Sequence, residues 1–179
     1  MKSDMQVTKH RKFVGLVLFV ALGIFLYLGL LSVHYDLNGV TEARAIEQGD
    51  SSLFPPNHML YRPLVWLIYQ MLQAVGYRGL SILPAQVTTA LFGALGLGLF
   101  YWWVCGLVNH RATAMIACLG FGTSWAYWVF STDAFYIIPA ATVTIGGLIL
   151  LSVILASPGP HPSMTCLVGL GILLSLIHI

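Results

Sequence analysis

Five apolar runs, separated by short polar loops, constrain the fold of this chain more than any other feature. They cover about residues 13–33, 84–108, 112–130, 135–156 and 165–179. In a helix, roughly 20 apolar residues cross a hydrocarbon core of about 30 Å. Because backbone polar groups in lipid must be satisfied within the segment, such runs fold as helices. The sequence therefore predicts an all-α, polytopic transmembrane bundle, with one domain over residues 1–179.

Composition supports this class and excludes others. Of the 179 residues, 58% are hydrophobic and 8% are charged, whereas about a quarter of the residues in a soluble domain are charged. The formal net charge is only +2, and no stripe of Lys and Arg marks a nucleic-acid partner. Cys105, Cys118 and Cys166 lie inside apolar runs without metal-ligand spacing, so we interpret them as small apolar side chains.

The N-terminal segment indicates the orientation of the chain. Residues 1–12 carry Lys2, Lys9, Arg11 and Lys12 directly before the first apolar run, and such a positive flank favours the cytoplasm. A cleaved signal peptide is the alternative, but this run is longer than an h-region and no small-residue cleavage site follows it. We expect a retained first span, a cytoplasmic N-terminus and a multi-pass protein of the cell (inner or plasma) membrane.

The polar interval 34–62 follows the first run and holds four of the six acidic residues. Its first acid, Asp36, comes three residues after Val33, the end of that run. An acid at this position lies at the surface of the membrane. We therefore expect the chemistry of the chain in this interval, with Asp36 as its first candidate residue.

Within the interval, the stretch VTEARAIEQGD predicts a short helix. Thr41 is the expected N-cap, Glu42 falls in the first turn, and Gly49 can end the helix. The simplest interpretation of its charged residues is a solvated surface, and it applies to Glu42, Arg44, Glu47 and Asp50.

The segment 59–75 has apolar residues at helical spacing, and two interpretations stay open. Only about a dozen residues, from Leu64 to Val75, are uninterrupted by charge, whereas a span needs roughly 17–25. Trp66, Tyr61 and Tyr69 at its edges favour the interface. We favour a helix that lies flat in the interface, so that the outer loop extends over about 34–83. A second span is the alternative.

After residue 79 the only charged residues are Arg111 and Asp133. With a flat 59–75 helix, Arg111 falls in the cytoplasm and Asp133 shares the outer face with Asp36; with a second span, the two swap sides. Ionisable groups beside spans are costly enough to indicate function. Two carboxylates on one face can act as a general base or bind a divalent metal. The alternatives are a helix N-cap for Asp133 and a plain boundary acid for Asp36.

Basic and polar side chains lie beside the Pro-Pro break of the interval. His58 and Arg62 are candidates to bind a phosphate group, and Asn57 and Tyr61 complete the candidate substrate-binding set. The alternative is an interfacial belt of aromatic and basic residues.

The layout of these features resembles the N-terminal part of the GT-C glycosyltransferases, which include protein O-mannosyltransferases and lipid A aminoarabinose transferases. The resemblance rests on a basic end before a first span, a YD acid just outside it and a short helix closing at Gly-Asp. The stretches PNHMLYRPL and WVFSTDAFYIIPA complete it. It covers about residues 13–156.

The resemblance implies transfer of a sugar from a polyprenyl-phosphate carrier to an acceptor at the outer face of the membrane. In the family, one acid follows the first span and another lies in the next outer loop, and these positions correspond to Asp36 and Asp133. Asp36 would be the base, and Arg62 and His58 would meet the phosphate. Some relatives carry paired acids where STDAF has one, so a divalent metal cofactor stays open.

A transporter, or a non-catalytic membrane subunit with Asp133 as an ion or proton site, is the alternative function. Transporters place ionisable groups near the bilayer midplane, whereas these acids lie at span ends.

The chain also stops at LSLIHI inside an apolar run. We expect an N-terminal fragment that is inactive alone, and we suspect that residues 174–179 are not native.

Overall fold

The computed structural model describes residues 2–33, 37–49, 53, 60–108, 110–156 and 164–178. This part of the chain folds into eight α-helices without a β-strand, which confirms the predicted all-α class. The helices are α1 (Lys2–Gly29), α2 (Leu37–Gln48), α3 (Tyr61–Ala74), α4 (Ile82–Val108), α5 (Arg111–Gly122), α6 (Trp125–Thr132), α7 (Ile137–Ala156) and α8 (Met164–His178).

Three of these helices are long and apolar enough to cross a membrane. They provide the segments Lys12–Gly29, Ile82–Val108 and Ile137–Ala156. The predicted run 112–130 falls on two helices, α5 and α6, which are bent by 60° and form a broken span or a re-entrant loop. α8 is apolar but shorter, over Met164–Leu173. Length and composition thus indicate a multi-pass membrane protein with three spans, or four if the bent pair counts as one.

α4 is the central helix of the bundle, and α1 packs along it in the antiparallel direction. Gly15 of α1 lies against the ring of Tyr101, and a β-carbon built on Gly23 would lie 2.8 Å from Cα of Ala94. Small residues let helix backbones approach closely in lipid, where packing replaces the hydrophobic effect. The C-terminal end of α1 therefore lies beside the N-terminal end of α4.

α7 packs on α4 in the parallel direction. Thr142 Oγ1 donates to the Phe92 carbonyl oxygen at 2.8 Å, and Trp103 Nε1 donates to Ser152 Oγ at 3.0 Å. The order of these contacts along both helices runs the same way. The N-terminal ends of α4 and α7 therefore lie at one end of the bundle.

The α5–α6 pair runs antiparallel to α4. Cys118 Sγ donates to the Leu97 carbonyl oxygen at 3.3 Å, and further along the pair Tyr127 OH donates to the Gly93 carbonyl oxygen at 2.7 Å. The bundle thus has two distinct ends. At one of them α1 and α6 end, and we call it the α2–α3 end. His10 lies at the opposite end, which we call the basic end.

α2 differs from its prediction at its start and agrees with it at its end. It begins at Leu37, so Thr41 lies inside the helix, where its Oγ1 donates to the Leu37 carbonyl oxygen at 2.8 Å. The predicted N-cap at Thr41 is therefore wrong. Gly49 has φ +65°, which glycine adopts without steric cost, and it ends the helix as predicted.

Candidate functional site

An apolar cluster holds α2 and α3 against the end of the bundle. It joins Ile46 of α2, Tyr61 and Val65 of α3, Ala85 of α4 and Ala134 of the α6–α7 loop, all of them buried. Burial of such side chains contributes about 25 cal/mol per Å² of apolar surface. The cluster therefore brings the polar interval and the Asp133 loop together, although more than 70 residues separate them in sequence.

An ion pair between buried Glu42 and part-buried Arg62 connects the two short helices. Arg62 Nε and Nη2 donate to the two carboxylate oxygens of Glu42 at 2.7 and 2.8 Å, and the side chains are 14% and 7% exposed. The hydrogen bonds to Glu42 raise the pKa of Arg62, so the guanidinium stays charged. The interpretation of Glu42 as solvated is wrong, because its side chain faces α3 and the bundle. Arg62 has an internal anion as its partner, which the sequence analysis did not anticipate.

Glu47 also has a structural contact, although its residue is exposed. Its Oε1 accepts the backbone N–H of Ser81 at 2.8 Å, and Ser81 Oγ donates to the Ala43 carbonyl oxygen at 2.9 Å. A carboxylate at a helix N-terminus is favoured by the partial positive charge there. Glu47 therefore ties α2 to the start of α4 from an exposed position. Arg44 is exposed, as the solvated interpretation predicts, and Asp50 lies outside the described residues.

Asp133 lies between α6 and α7 and is only 5% exposed. Its Oδ1 accepts the backbone N–H of Ala134 at 2.7 Å. Ser131 and Thr132 belong to the last turn of α6, and α7 begins only at Ile137. The N-cap alternative for Asp133 is therefore wrong, because Asp133 follows the last residue of α6 and lies four residues before the start of α7.

α2 packs directly on the Asp133 loop through Gly39. A β-carbon on Gly39 would lie 3.1 Å from the Ala134 carbonyl oxygen and 3.4 Å from Asp133 Oδ1. A β-carbon would make a tight contact with the loop carbonyl, so glycine favours this close approach of the helix to the loop. The first turn of α2 and the buried carboxylate of Asp133 therefore belong to one site.

Tyr61 is buried at this site rather than open to a ligand. Its hydroxyl shares a hydrogen bond of 3.2 Å with Thr89 Oγ1 of α4. Burial raises the pKa of Tyr61; the bond to Thr89 opposes this shift, and the negative charges of Glu42 and Asp133 add to it. The phenol thus stays neutral and joins α3 to α4.

Gln86 completes the polar network, and the sequence analysis missed it. Its Nε2 donates to the Ser32 carbonyl oxygen at 2.8 Å and to the Thr132 carbonyl oxygen at 3.3 Å. Gln86 is 2% exposed, and it links the exit of α1 to the last residue of α6. The sequence did carry a signal for this role, a single amide side chain within an apolar run, because a buried amide needs hydrogen-bond partners.

The structure therefore unites three predicted site residues, Tyr61, Arg62 and Asp133, at the α2–α3 end. Asp36, Asn57 and His58 lie outside the described residues. Among the side chains that are described, no group of three or more His, Cys, Asp or Glu comes together. A divalent metal at this end would therefore need ligands beyond Asp133 and the already paired Glu42.

Comparison of the chain with protein-family models, with curated proteins and with solved structures finds no match in any of the three.

Proposed function

We propose that this protein is part of a membrane glycosyltransferase of the GT-C type, which transfers a sugar from a polyprenyl-phosphate donor to an acceptor. The observation that carries the proposal is the packing of α2 on the buried Asp133 loop through Gly39. Two loops far apart in sequence meet there, and the resemblance assigns an acid to each of them. The reaction would occur at this end, on the outer side of the membrane.

α3 supports the proposal because a lipid-linked donor must be met at the depth of the bilayer. Val65 and Tyr69 face the bundle and are buried, whereas Leu67 is 52% and Met71 is 63% exposed. An amphipathic helix with such an apolar outer face lies in the interface between lipid and water. α3 would thus provide an apolar contact for the polyprenyl chain beside the polar site.

Asp36 is the proposed base. The acceptor's hydroxyl or amine attacks the anomeric carbon of the sugar, the bond from that carbon to the phosphate oxygen breaks, and Asp36 takes the acceptor's proton. The polyprenyl phosphate leaves as an anion. In the sequence, Asp36 directly precedes Leu37, the first residue of α2. General base catalysis typically contributes about 10² to 10⁴ in rate.

Asp133 is the proposed second carboxylate, and its proposed role is to position other groups of the site. Its hydrogen bond to Ala134 fixes the loop on which Gly39 rests. Since the first turn of α2 follows Asp36 directly in the sequence, the Asp133 loop holds the element that comes after the proposed base. Loss of the Asp133 carboxylate should therefore reduce transfer without abolishing donor binding.

The leaving phosphate needs a cationic partner. The resemblance offers Arg62 and His58 for this role, and the contacts of Arg62 decide between them. The charge of Arg62 is balanced by Glu42 at 2.7 Å, so Arg62 can bind phosphate only by sharing its guanidinium with that carboxylate. His58 precedes α3 in the chain and is the remaining predicted cation, because phosphate groups favour charge-assisted hydrogen bonds. We therefore assign His58 to the phosphate and the Glu42–Arg62 pair to the placement of α3.

Photolabelling tests donor binding on the 179-residue chain itself. Membranes that contain the protein are treated with a polyprenyl phosphate bearing a diazirine near the phosphate, and the labelled peptides are mapped by mass spectrometry. We expect label on residues 37–49 or 60–74 and competition by unmodified polyprenyl phosphate. Label that phosphatidylglycerol competes away equally well would contradict the proposal.

A matched pair of variants tests the chemistry, in a chain that includes the downstream spans implied by the resemblance. Asp36→Asn keeps the size of the side chain but removes the base, so transfer of labelled sugar should fall by about 10² to 10⁴. Glu47→Gln removes the same charge from the same interval while keeping an oxygen for Ser81 N–H, so transfer should change little. Equal, small losses in both variants would exclude Asp36 as the base.

A further inference from the structure

A groove of about 590 Å³ lies at the basic end, between α1 and α5, with α4 as its floor. Tyr101 forms this floor and stacks on Phe19 of α1, with ring centroids 4.9 Å apart. Gly15 packs against the same tyrosine ring. Both aromatic residues are buried, so the floor is a fixed part of the bundle.

The walls of the groove are apolar side chains that the protein itself leaves exposed. On α1, Val14 is 41% and Leu18 is 63% exposed; on α5, Met115 is 48% and Leu119 is 45% exposed. From residue 10 to residue 22 the groove follows α1 for about 18 Å, at 1.5 Å per residue. This length matches roughly half of a 30 Å hydrocarbon core, which is the depth of one leaflet.

A cation and an imidazole mark one end of the groove. His10 and Arg111 both line it and both are exposed. The acidic side chains that the structure describes, Glu42, Glu47 and Asp133, all lie at the opposite end of the bundle. Unlike Arg62, Arg111 therefore has no carboxylate neighbour among the described side chains.

We propose that this groove binds an anionic phospholipid from the leaflet at the basic end. One acyl chain lies between Leu18 and Met115 over the Tyr101 floor, and the phosphate of the headgroup meets Arg111 and His10. Charge complementarity selects this occupant, because basic pockets between membrane helices bind anionic headgroups. A zwitterionic lipid offers the same acyl chain but adds a positive group beside Arg111. The inference does not depend on the proposed transferase activity.

The test compares retention of two lipids by the purified protein. The full chain is reconstituted with equimolar phosphatidylglycerol and phosphatidylcholine, released into mild detergent and analysed by native mass spectrometry. We expect the wild-type protein to retain phosphatidylglycerol preferentially. Arg111→Gln should lower that preference roughly five-fold, the effect of one cation near an anionic surface. Arg44→Gln, which removes the same charge at the other end, should leave it unchanged.

Two further variants separate the headgroup contact from the groove. Arg111→Lys keeps the charge and should keep most of the preference, which controls for damage to the start of α5. Val14→Phe narrows the apolar channel and should reduce retention of both lipids. Equal effects of Arg111→Gln and Arg44→Gln, or equal retention of the two lipids by the wild type, would overturn the proposal. Displacement of phosphatidylglycerol by an equal concentration of polyprenyl phosphate would overturn the choice of occupant.

Discussion

The two ends of the bundle use their charged residues in opposite ways. At the α2–α3 end, part-buried Arg62 is paired with buried Glu42, and Glu47 accepts a backbone N–H. At the basic end, His10 and Arg111 are exposed beside an apolar groove. Charges paired within the protein define the shape of a site, whereas charges left exposed beside lipid are available to a ligand. This contrast is the reason for proposing the chemistry at the first end and lipid recognition at the second.

The paired charges at the α2–α3 end come at an energetic cost that apolar residues would avoid. Removing two charges from water is expensive, and a buried pair offsets this only with good geometry. The Glu42–Arg62 pair has that geometry, with two parallel hydrogen bonds of 2.7 and 2.8 Å. Such a bidentate contact adds geometric specificity to the relative placement of the two helices. We infer that the pair fixes α3 on α2.

The largest expected effect follows from breaking this pair. Arg62→Met leaves the Glu42 carboxylate buried without its cation, and loss of one partner of a buried pair destabilises a protein by about 3 kcal/mol or more. Unfolding of the purified protein in mixed micelles, titrated with denaturing detergent, measures the change. Arg44→Met, on the exposed face of α2, is the matched control and should change stability by less than about 0.5 kcal/mol.

The double variant Glu42→Gln with Arg62→Met sharpens this result. Because it removes both charges, it should be more stable than the sum of the single losses predicts. Strictly additive losses would show that the two side chains do not interact, and the contrast between the ends would lose its basis.

An effect of intermediate size is expected where α1 packs on α4, between the two ends of the bundle. Gly23→Ala places a β-carbon 2.8 Å from Cα of Ala94, and overpacking of this kind typically costs about 1–3 kcal/mol. The same detergent titration measures it. Gly106→Ala is the control, since nothing lies within 4 Å of its β-carbon position and Ala has the higher helix propensity; a comparable loss there would show that the loss in Gly23→Ala does not come from packing against Ala94.

The smallest effect concerns Glu47. Glu47→Ala removes the oxygen that accepts Ser81 N–H, and it also removes a negative charge near the start of α4. Such a charge at a helix N-terminus stabilises a protein by about 0.3–1 kcal/mol. Glu47→Gln should lose less, because its amide oxygen can still accept. Hydrogen exchange of the Ser81 amide distinguishes the two variants, and equal, unchanged protection in both would contradict the contact.

Run length and polarity predicted the long helices well. The apolar runs at 84–108 and 135–156 lie within two residues of α4 and α7, because in lipid an apolar segment of that length has helix as its main solution. The break between α5 and α6 was not predictable in this way. Residues 112–130 carry no charge, so run length and charge alone do not reveal a break there; the 60° bend lies at Thr123 and Ser124, whose hydroxyls donate to carbonyl oxygens of α5.

The site was only partly predictable. Alternation of polar loops between the apolar runs grouped Asp133 with the polar interval, and the structure brings them together. The pairing of Glu42 with Arg62 was not visible, because 20 residues separate them and their contact depends on the relative placement of two helices. A sequence pattern shows which residues share a helix face but not which residue on another helix they meet.

The most direct test of the account asks which side of the membrane each end faces. Single cysteines at Gln48 and at Ala112, both exposed, report on the α2–α3 end and the basic end. Ser131 is unsuitable as a reporter because it is fully buried. Cys166, which is partly exposed, is first replaced by alanine. Intact cells or oriented vesicles are then treated with a membrane-impermeant maleimide.

We predict that the reagent labels the cysteine at position 48 from outside, and labels the one at position 112 only after the membrane is permeabilised. This pattern places the proposed transferase site outside and the phospholipid groove in the cytoplasmic leaflet. Labelling of both positions from the same side, or of position 112 alone from outside, would contradict the account.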